Sequence, residues 1–491
     1  MFTERDAVAT DMAGHVPTKS LAFSNRFLKT PKICANLRWE TTMTELLTGR
    51  KGAKEILILG GGFGGVYAAM ELEKLLEGEL KSGEIHVTLV SHDNYFLFTP
   101  MLHEVAASDL DASHIVNPLH KLLKSGDFFC GDIDDIDLPN RSVRVSHQAP
   151  GGKERHSHDL PYDHLIVALG SVASFQDVPG VEERALTMRT LGDAVALRGR
   201  MIETLEVADS ECFAAMRAPL LTFVIAGGGF SGVETAGAVN DFLRDAIKSY
   251  PNLSEKNLRV VVVHSGEHVL PELGEKLGKY ATGKLREHGI EVLLGARVAS
   301  ADDGLVTLKD GSVIPAQTLI WTVGNAINAL LGELPCATTK GRVCVNDNLE
   351  VSEWPDVWVL GDAAYAIDPN TDKPYPATAQ HALRQGKVVA RNVVASLRAK
   401  KKKPFRFKTL GQLATIGRRA GVASVFGFQF SGFAAWFMWR TIYLSKLPRF
   451  EKKLRVAVDW TMDLFFSKDL VQLSTPTARF HAHRSHDGND R

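Results

Sequence analysis

The sequence predicts an α/β fold made of two parallel-sheet modules, followed by a C-terminal region of amphipathic helices. Two observations carry this prediction. The order strand, glycine turn, helix, strand occurs twice, and the segment that follows a run of four lysines is aromatic and basic. At 491 residues the chain is too long for a single core, and about 150 residues per domain would suggest about three domains.

The first module begins with the continuous apolar run Ile56–Leu59, which has the length of a buried strand. A glycine-rich turn, Gly60–Gly65, follows it. Residues 66–76 then show helical spacing, and residues 85–90 alternate as a second strand would. A strand, a turn, a helix and a parallel strand form a βαβ unit.

The second module repeats this order 167 residues later, counted from Gly60 to Gly227. Its elements are predicted as a strand over 221–225, a glycine turn over 227–232, a helix over 233–247 and a strand over 258–263. Two further short apolar strands are predicted at 165–167 and 357–360. The chain therefore contains a duplicated module rather than a short solenoid repeat.

Each glycine turn has the G-x-G-x-x-G spacing that binds a dinucleotide. The first glycine permits a tight turn, the second lets the backbone approach a pyrophosphate, and the third allows the helix to contact the strand. The free N–H groups at the start of the helix then face the phosphates. One such motif is a weak signal, but two in the same structural context predict two Rossmann-like dinucleotide sites. Their glycines are Gly60, Gly62, Gly65, Gly227, Gly229 and Gly232.

The acidic residue expected after the second strand of each unit is less regular. In the first unit Asp93 is the candidate, and it could bind a ribose only by reaching back. In the second unit the strand ends at His264 and Ser265, with no carboxylate. NADPH is therefore not excluded, and NADH is only slightly favoured.

Glu234 is predicted to lie in the first turn of the second-module helix. A carboxylate there could simply offset the helix dipole, or it could lie beside a bound ring. Both interpretations remain open.

Composition excludes several other classes of protein. Lys and Arg total 57 and Asp and Glu total 57, so the formal charge is zero, which argues against a general nucleic-acid binder. Five cysteines without a C-x-x-C pair predict neither a disulfide framework nor a cysteine zinc site, and no metal site is predicted.

The two ends of the chain are predicted to lie outside the folded modules. Between Asp11 and Glu40 the chain has five basic residues and no acidic one, as in a transit peptide, whereas Glu4, Asp6 and Asp11 argue for a disordered extension or an upstream start codon. The polar residues 476–491 are predicted to be a disordered tail.

The C-terminal segment is predicted to lie on a membrane surface. Residues 422–439 carry no formal charge, but Gly427 and Gly432 interrupt them, which favours a turn over a spanning helix. Residues 454–466 form a second apolar and aromatic stretch after Lys452 and Lys453, as in an interfacial helix. The alternative is a helix packed on the protein's own core.

Further motifs carry a resemblance to one family. In order they are Asn94-Tyr-Phe-Leu-Phe-Thr-Pro100, Ala168-Leu-Gly-Ser171, Trp321-Thr-Val-Gly324, Gly361-Asp-Ala363 and Ala379-Gln-His-Ala382. With both glycine turns, the chain from Lys54 to Leu473 resembles type II NADH dehydrogenase, the single-subunit NADH:quinone oxidoreductase, among the two-dinucleotide-binding flavoproteins.

The resemblance implies FAD on the first module and NAD(P)H on the second. Asp362 would bind the ribityl chain of FAD near the start of the next helix, Glu234 would lie near the nicotinamide and flavin, and Gln380 would line the quinone pocket. Further cofactor contacts are expected at Gly64, Gly170, Gly361 and Ala379. The family usually has a second glutamine four residues after the first. Here that position is Arg384, followed by Gln385, and the arginine could also belong to a solvated helix face.

The resulting hypothesis is a FAD-dependent NAD(P)H:quinone oxidoreductase that does not pump protons. It would be peripheral, on the cytoplasmic face of a bacterial inner membrane or, alternatively, on the mitochondrial inner membrane; dimerisation stays open. The alternatives are a soluble NAD(P)H-flavin reductase with a non-quinone acceptor, an NADH-sensing flavoprotein of the apoptosis-inducing-factor type and, through Cys130 and Cys344, a sulfide:quinone oxidoreductase.

The predicted ranges are an extension (1–50), a FAD domain in two parts (51–218 and 326–404), an NAD(P)H domain (219–325), a membrane-association region (405–475) and the tail (476–491).

Overall fold

A computed structural model describes residues 52–149 and 154–472 of the chain. The predicted extension over 1–50 and the predicted tail over 476–491 lie outside the described residues.

The strands are short, and most belong to sheets of three or five strands. In chain order they are β1 (Lys54–Leu59), β2 (Ile85–Ser91), β3 (Tyr95–Leu97), β4 (Val116–Pro118), β5 (Asp127–Cys130), β6 (Asp132–Asp137), β7 (Ser142–Gln148), β8 (Arg155–Pro161), β9 (His164–Val167), β10 (Ser171–Ala173), β11 (Leu186–Thr187), β12 (Thr222–Ala226), β13 (Arg259–His264), β14 (Ile290–Leu294), β15 (Val298–Asp302), β16 (Leu305–Leu308), β17 (Val313–Pro315), β18 (Thr318–Trp321), β19 (Asn325–Ile327), β20 (Thr338–Thr339), β21 (Arg342–Cys344), β22 (Val357–Val359), β23 (Ala364–Tyr365), β24 (Ile367–Asp368), β25 (Lys373–Pro374), β26 (Gly411–Thr415), β27 (Gly421–Val425) and β28 (Phe428–Ser431).

The α-helices range from single turns to 20 residues. They are α1 (Phe63–Leu75), α2 (Glu77–Ser82), α3 (Leu102–Ala106), α4 (Leu119–Leu122), α5 (Val181–Arg184), α6 (Leu191–Ser210), α7 (Ala214–Leu220), α8 (Phe230–Ala246), α9 (Glu275–Glu287), α10 (Ala379–Leu397), α11 (Phe433–Lys446) and α12 (Phe450–Met462).

The two predicted modules are both present as five-stranded parallel sheets, which confirms the α/β fold class. The first sheet has the order β22-β9-β1-β2-β5. The second has the order β11-β18-β12-β13-β14. In both sheets the strand before the glycine turn is the central one, and it is buried along nearly its whole length because parallel sheets are covered on both faces.

The duplication extends further than the glycine turns indicate. Each module also carries a three-stranded antiparallel sheet inserted between its parallel strands, β6-β7-β8 before β9 in the first and β15-β16-β17 before β18 in the second. A two-stranded pairing of β10 with β19 connects a segment from each half of the chain. These antiparallel strands were not predicted from the sequence.

Both glycine-turn helices begin three residues earlier than predicted. The structure begins α1 at Phe63 and α8 at Phe230, whereas the apolar spacing indicated starts at Val66 and Val233. The third glycine of each motif therefore lies inside the helix. Its lack of a side chain hides it from a periodicity argument, because it contributes nothing to an apolar face.

The C-terminal region contains a sheet that precedes its helices. The uncharged stretch 422–439 is divided among β27, a turn at Phe426 and Gly427, β28 and the start of α11, so the predicted interruption is confirmed. Both turn residues have a positive φ, as a tight hairpin requires. Among the described residues, no helix combines the length and the apolar character needed to cross a bilayer.

The first parallel sheet is covered by a close pair of helices, α1 and α10. A Cβ atom placed on Gly386 of α10 would lie 2.3 Å from the backbone oxygen of Gly64 in α1. Since a backbone atom cannot move aside as a side chain can, glycine allows the two helices to approach this closely.

We predict that Gly386→Ala lowers the free energy of unfolding by about 1–3 kcal/mol, because the added methyl group overpacks this helix contact. Gly199→Ala is the matched control, because its added Cβ in α6 would meet nothing within 4 Å. The control should gain about 0.5–1 kcal/mol from helix propensity. Thermal and denaturant unfolding of the FAD-loaded protein measures both, and equal stability of the two variants would contradict the prediction.

Candidate functional site

The first glycine turn has the geometry of a dinucleotide turn. Gly60 has a φ of 108°, and a Cβ on Gly65 would lie 2.0 Å from the carbonyl oxygen of Gly60. A Cβ on Gly62, in contrast, would meet nothing within 4 Å, so the backbone there faces open space. Gly64 packs against Leu360, because a Cβ on Gly64 would lie 2.1 Å from Cδ1 of Leu360. These residues fit a pyrophosphate next to Gly62.

The second glycine turn reproduces this geometry in detail. Gly227 also has a φ of 108°, and a Cβ on Gly232 would lie 2.0 Å from the Gly227 carbonyl oxygen. Gly229 again faces open space, with nothing within 4 Å. Thr322, which follows β18, packs against the turn and donates its hydroxyl to the carbonyl of Ala226 at 2.7 Å.

Asp93 lies two residues beyond the end of β2, in an exposed turn. Its carboxylate is close enough to Tyr95 and Cys130 to contribute to the raised pKa of both groups, for which burial is the larger cause. The structure therefore places Asp93 at the correct edge of the sheet, and its contact with a ribose stays a prediction.

Asp362 lies in a short 3-10 turn directly after β22, well before α10 begins at Ala379. Its Oδ2 accepts a hydrogen bond from Ser171 Oγ at 2.8 Å, and Arg189 Nη2 donates to the same Ser171 oxygen at 2.8 Å. Three short strands, β23 to β25, separate Asp362 from α10 along the chain, but a Cβ on Gly361 would lie 3.5 Å from the Cβ of Ala382. The turn that carries Asp362 therefore lies beside the start of α10, and its contact with the ribityl chain stays a prediction. Arg189 was missed in the sequence, since it contacts this group only through the fold.

Two glycines shape the backbone around Asp362. Gly170 and Gly361 have φ values of 66° and 70°, which L side chains rarely adopt. The Gly361 N–H donates to Gln385 Oε1 at 2.7 Å, and Gln385 is buried. Gln385 therefore holds the Asp362 turn in place, and its amide is not free to line an acceptor pocket.

Gln380 lies in the first turn of α10, one residue after Ala379. Its amide nitrogen donates to the carbonyl of Gly411 in β26 at 3.2 Å, so this side chain connects α10 to the C-terminal sheet. Arg384 donates to the Gln380 carbonyl at 2.7 Å, and its guanidinium lies 4.1 Å from the centre of the Phe407 ring. The solvated-face interpretation of Arg384 is therefore wrong: the side chain is half-buried and stacked on an aromatic ring.

Glu234 lies in the second turn of α8, not in the first, because the helix begins at Phe230. It is largely buried, and its Oε1 accepts hydrogen bonds from Trp439 Nε1 at 3.1 Å and from the Thr415 N–H at 3.4 Å. The helix-dipole interpretation is therefore replaced by a specific contact with the C-terminal region. Burial raises the pKa of Glu234 to about 8, so this carboxyl holds a proton at neutral pH.

His103 is a buried neighbour of Glu234 that the sequence did not identify. Its Nδ1 lies 3.8 Å from Glu234 Oε2, and its Nε2 lies 3.1 Å from the hydroxyl oxygen of Thr415. Burial, with a smaller contribution from Arg440, lowers the pKa of His103 to about 3. The imidazole is therefore neutral at neutral pH and can accept at one nitrogen while donating at the other.

Glu104, the next residue of α3, is also buried, and it faces the C-terminal helices. Its Oε2 accepts a hydrogen bond from Trp460 Nε1 at 3.1 Å, and its Oε1 lies 3.7 Å from Arg440 Nη2. The guanidinium of Arg440 lies between the rings of Trp436 and Trp460, 4.3 and 4.6 Å from their centres. Burial raises the pKa of Glu104 to about 8, although Arg440 opposes this shift.

A second set of charged groups fastens the end of the C-terminal region. Lys468 is buried, forms an ion pair with Asp109 and donates to the carbonyl of Ala107 at 2.8 Å. Asp241 of α8 accepts from the Arg418 N–H at 2.6 Å, and burial raises its pKa to about 6. The C-terminal region is thus held on α3 and α8 by polar contacts on its inner side.

Because the pKa of Glu104 is about 8 in the folded protein and near 4.5 in the unfolded chain, the folded state keeps a proton that the unfolded state releases. The contribution of Glu104 to stability must therefore fall as the pH rises from about 4.5 to about 8. We predict that Glu104→Gln reduces the loss of melting temperature between pH 5 and pH 9. Glu183→Gln, at an exposed position of α5, is the control. Identical pH profiles for the wild type and both variants would refute the prediction.

Comparison with known proteins agrees with this architecture. The family model described as pyridine nucleotide-disulphide oxidoreductase matches residues 54–386, and the model described as NDH2 C-terminal domain matches residues 410–469. The structure of NDH2 from Plasmodium falciparum in complex with NADH superposes with a TM-score of 0.77 at 18% identity, covering 85% of this chain and 99% of that one. At this identity the superposition shows the fold.

Two proteins are similar over most of their length. The type II NADH:quinone oxidoreductase Ndh of Mycobacterium tuberculosis is 31% identical over 423 residues, which cover 83% of this chain and 87% of that protein. The demethylphylloquinone reductase NdbB of Synechocystis is 31% identical over 412 residues, which cover 82% of this chain and 95% of that protein. With its two dinucleotide turns, its matching C-terminal domain and these relatives, the chain belongs to the type II NADH:quinone oxidoreductases of the pyridine nucleotide-disulphide oxidoreductase family.

Proposed function

We propose that this protein is a FAD-dependent oxidoreductase that accepts a hydride from NAD(P)H and passes two electrons to a membrane quinone without pumping protons. The observation that carries the proposal is the position of Glu234 and Gln380. Both side chains bind the C-terminal sheet, and both helices that carry them belong to a dinucleotide module. The M. tuberculosis and Synechocystis relatives are named as quinone-linked reductases, which supports a quinone as the acceptor.

The residues present fit both cofactors. The open space beside Gly62 and beside Gly229 accommodates a pyrophosphate in each module. In the first module Asp362, fixed by Ser171, would hold the ribityl hydroxyls of FAD. In the second, NAD(P)H would lie on the turn before α8. The proposed domains are therefore FAD-binding over 51–218 and 326–404, NAD(P)H-binding over 219–325, and membrane-associating over 405–475.

The flavin, when bound, supplies the chemistry that converts a two-electron hydride donor into a quinone reductant. The protein contributes binding, orientation and control of protons. Glu234 can hold a proton at its carboxyl group at neutral pH, because burial raises its pKa to about 8. Trp439 fixes the orientation of that carboxyl through a hydrogen bond to Oε1.

The acceptor pocket is proposed to lie where α10 begins, next to β26. Gln380 is fixed there by Gly411, and Arg384 takes the position at which the family usually has a second glutamine. Arg384 is stacked on Phe407 and donates to the Gln380 carbonyl. These two contacts hold its guanidinium group in place, so the side chain narrows the pocket but does not move freely into it. Gln385 cannot replace the missing glutamine, since it holds Gly361.

We predict that Gln380→Ala lowers quinone reduction at least about tenfold while flavin reduction by NADH stays within about twofold of the wild type. The reason is that Gln380 contacts the C-terminal sheet and not a glycine turn. Stopped-flow measurement of each half-reaction separates the two effects. Val388→Ala, about two turns further along α10 than Gln380, serves as the control. Equal loss of both half-reactions in Gln380→Ala would show that the acceptor pocket lies elsewhere.

We further propose that the C-terminal region binds a membrane surface. Its outer side exposes an aromatic surface, which we define as Phe426, Phe428, Phe433, Phe437 and Phe450. These side chains are 59–79% exposed, an arrangement that water disfavours and a lipid interface stabilises. Such a surface favours the quinone reductase over a soluble flavin reductase.

Basic side chains accompany the aromatic surface. Lys446 at the end of α11 and Arg455 in α12 are exposed. Cationic groups next to exposed aromatic rings suit an anionic headgroup region. We propose attachment at the cytoplasmic face of a bacterial inner membrane, where NAD(P)H is available, with the mitochondrial inner membrane as the alternative.

We predict that Phe426→Ser combined with Phe428→Ser reduces binding to anionic liposomes at least about fivefold, because both rings lie at the hairpin tip and are 74% and 69% exposed. Phe213→Ser is the matched control, since Phe213 is 71% exposed but lies outside the C-terminal region. Co-sedimentation at low salt measures the bound fraction. If the wild type stays in the supernatant, or if the control loses binding equally, the proposed membrane surface is wrong.

A further inference from the structure

The second residue of each glycine turn identifies the ribose position in both modules. A Cβ on Gly61 would lie 2.4 Å from Ser91 Oγ, and a Cβ on Gly228 would lie 2.6 Å from Cγ of His264. Ser91 is the last residue of β2, and His264 is the last residue of β13. The internal duplication therefore assigns His264 to the position where dinucleotide-binding domains that use NAD carry an aspartate or glutamate.

The imidazole at this position has a defined hydrogen-bonding state. The Gly228 N–H donates to Nδ1 of His264 at 3.2 Å, so Nδ1 is the acceptor and the neutral ring carries its proton on Nε2. Nε2 is buried and has no hydrogen-bond partner among the described residues. A Cβ on Gly266 would lie 2.8 Å from this Nε2, so the nitrogen faces the loop after β13, and the neutral ring places no negative charge at the ribose edge of the site.

The surroundings of His264 contain one acid that bears on its charge. Burial lowers the pKa of His264, whereas the backbone of His268 and the charge of Glu272 oppose that shift, and the His268 side chain adds to it. The next residue, Ser265, is exposed and carries a hydroxyl that can also donate. None of these groups is the carboxylate at the end of the strand that binds two ribose hydroxyls and repels a 2′-phosphate.

We propose that His264 makes the second dinucleotide site accept the 2′-phosphate of NADPH as well as the free 2′-hydroxyl of NADH. This inference rests on the proposed function, and it goes beyond that function by defining the electron donor. His264 is a specificity-determining residue here. It takes no part in hydride transfer, because it lies at the adenosine end of the site.

The test measures the bleaching of the FAD-loaded protein by NADH and by NADPH under anaerobic conditions, with no quinone present. We expect the second-order rate constants for the two donors to agree within about tenfold in the wild type. His264→Glu should lower the NADPH/NADH ratio by about 100-fold, because the introduced carboxylate meets the 2′-phosphate as a like charge. His264→Gln, which also lacks a negative charge, should leave the ratio within about threefold of the wild type.

Ser249→Glu is the control for added charge, because it places a carboxylate at an exposed position of the same module. It should not change the NADPH/NADH ratio, and flavin content with melting temperature verifies that each variant is folded. A wild type that discriminates against NADPH by more than about tenfold would overturn the inference, as would a His264→Glu ratio equal to that of the wild type.

Failure of the proposed function gives a different result. If both nucleotides bleach the flavin but no quinone is reduced, the acceptor assignment fails and the role of His264 stands. If neither nucleotide bleaches the flavin, the donor assignment and the role of His264 fail together.

Discussion

The close approach of a helix to the end of its own strand is the constraint on which the rest of this structure depends. In each module the carbonyl oxygen of the first motif glycine, Gly60 or Gly227, occupies the place of a side chain on the third, Gly65 or Gly232. Any larger residue at the third position would push the helix away from the sheet. The helix N-terminus would then no longer face the carboxyl end of the central strand, where a pyrophosphate binds. The same strand order around both central strands places the two dinucleotide turns at equivalent edges of their sheets.

The C-terminal region contacts both dinucleotide modules through Glu234 and Gln380, and α11 connects these contacts to the solvent-facing aromatic surface. On α11, Trp439 is fully buried and donates to Glu234, whereas Phe437, two residues earlier, is 59% exposed. The position of the aromatic surface is therefore fixed relative to a carboxyl group of the nucleotide module. A neutral His103 and the buried pair of Glu104 and Arg440 extend this contact along α3. Buried groups of this kind cost free energy unless they are bonded, which makes the seating of α11 and α12 specific rather than merely apolar.

The sequence was sufficient for features that depend on local backbone geometry. Both glycine turns, the central strands and the break in the uncharged stretch follow from short-range patterns of glycine and apolar residues. Contacts between distant segments could not be predicted in this way: Arg189 reaches Ser171, and His103 meets Thr415 across 312 positions. Arg384 illustrates the same limit, because a helical pattern alone did not indicate that Phe407 would cover its guanidinium. The sequence placed Glu234 in the first turn of α8 instead of the second. The error arose because a glycine inside a helix adds no apolar side chain, so the periodicity does not show that the helix has already begun.

The proposed attachment to one leaflet follows from how α11 is held. Its 14 residues span about 21 Å, less than the apolar core of a bilayer, which is about 30 Å thick. Ala435 and Trp439 on one side of the helix are packed against the protein, so only the opposite side is available to lipid. Moving α11 deeper would break the hydrogen bond from Trp439 to Glu234 and would draw the buried Glu104 and Arg440 away from their partners. In the proposed attachment α11 would therefore insert by about one layer of side chains, and the quinone ring would reach the protein at the headgroup level. In the proposed attachment the exposed aromatic rings would bind the interface directly, so a formal net charge of zero does not oppose it.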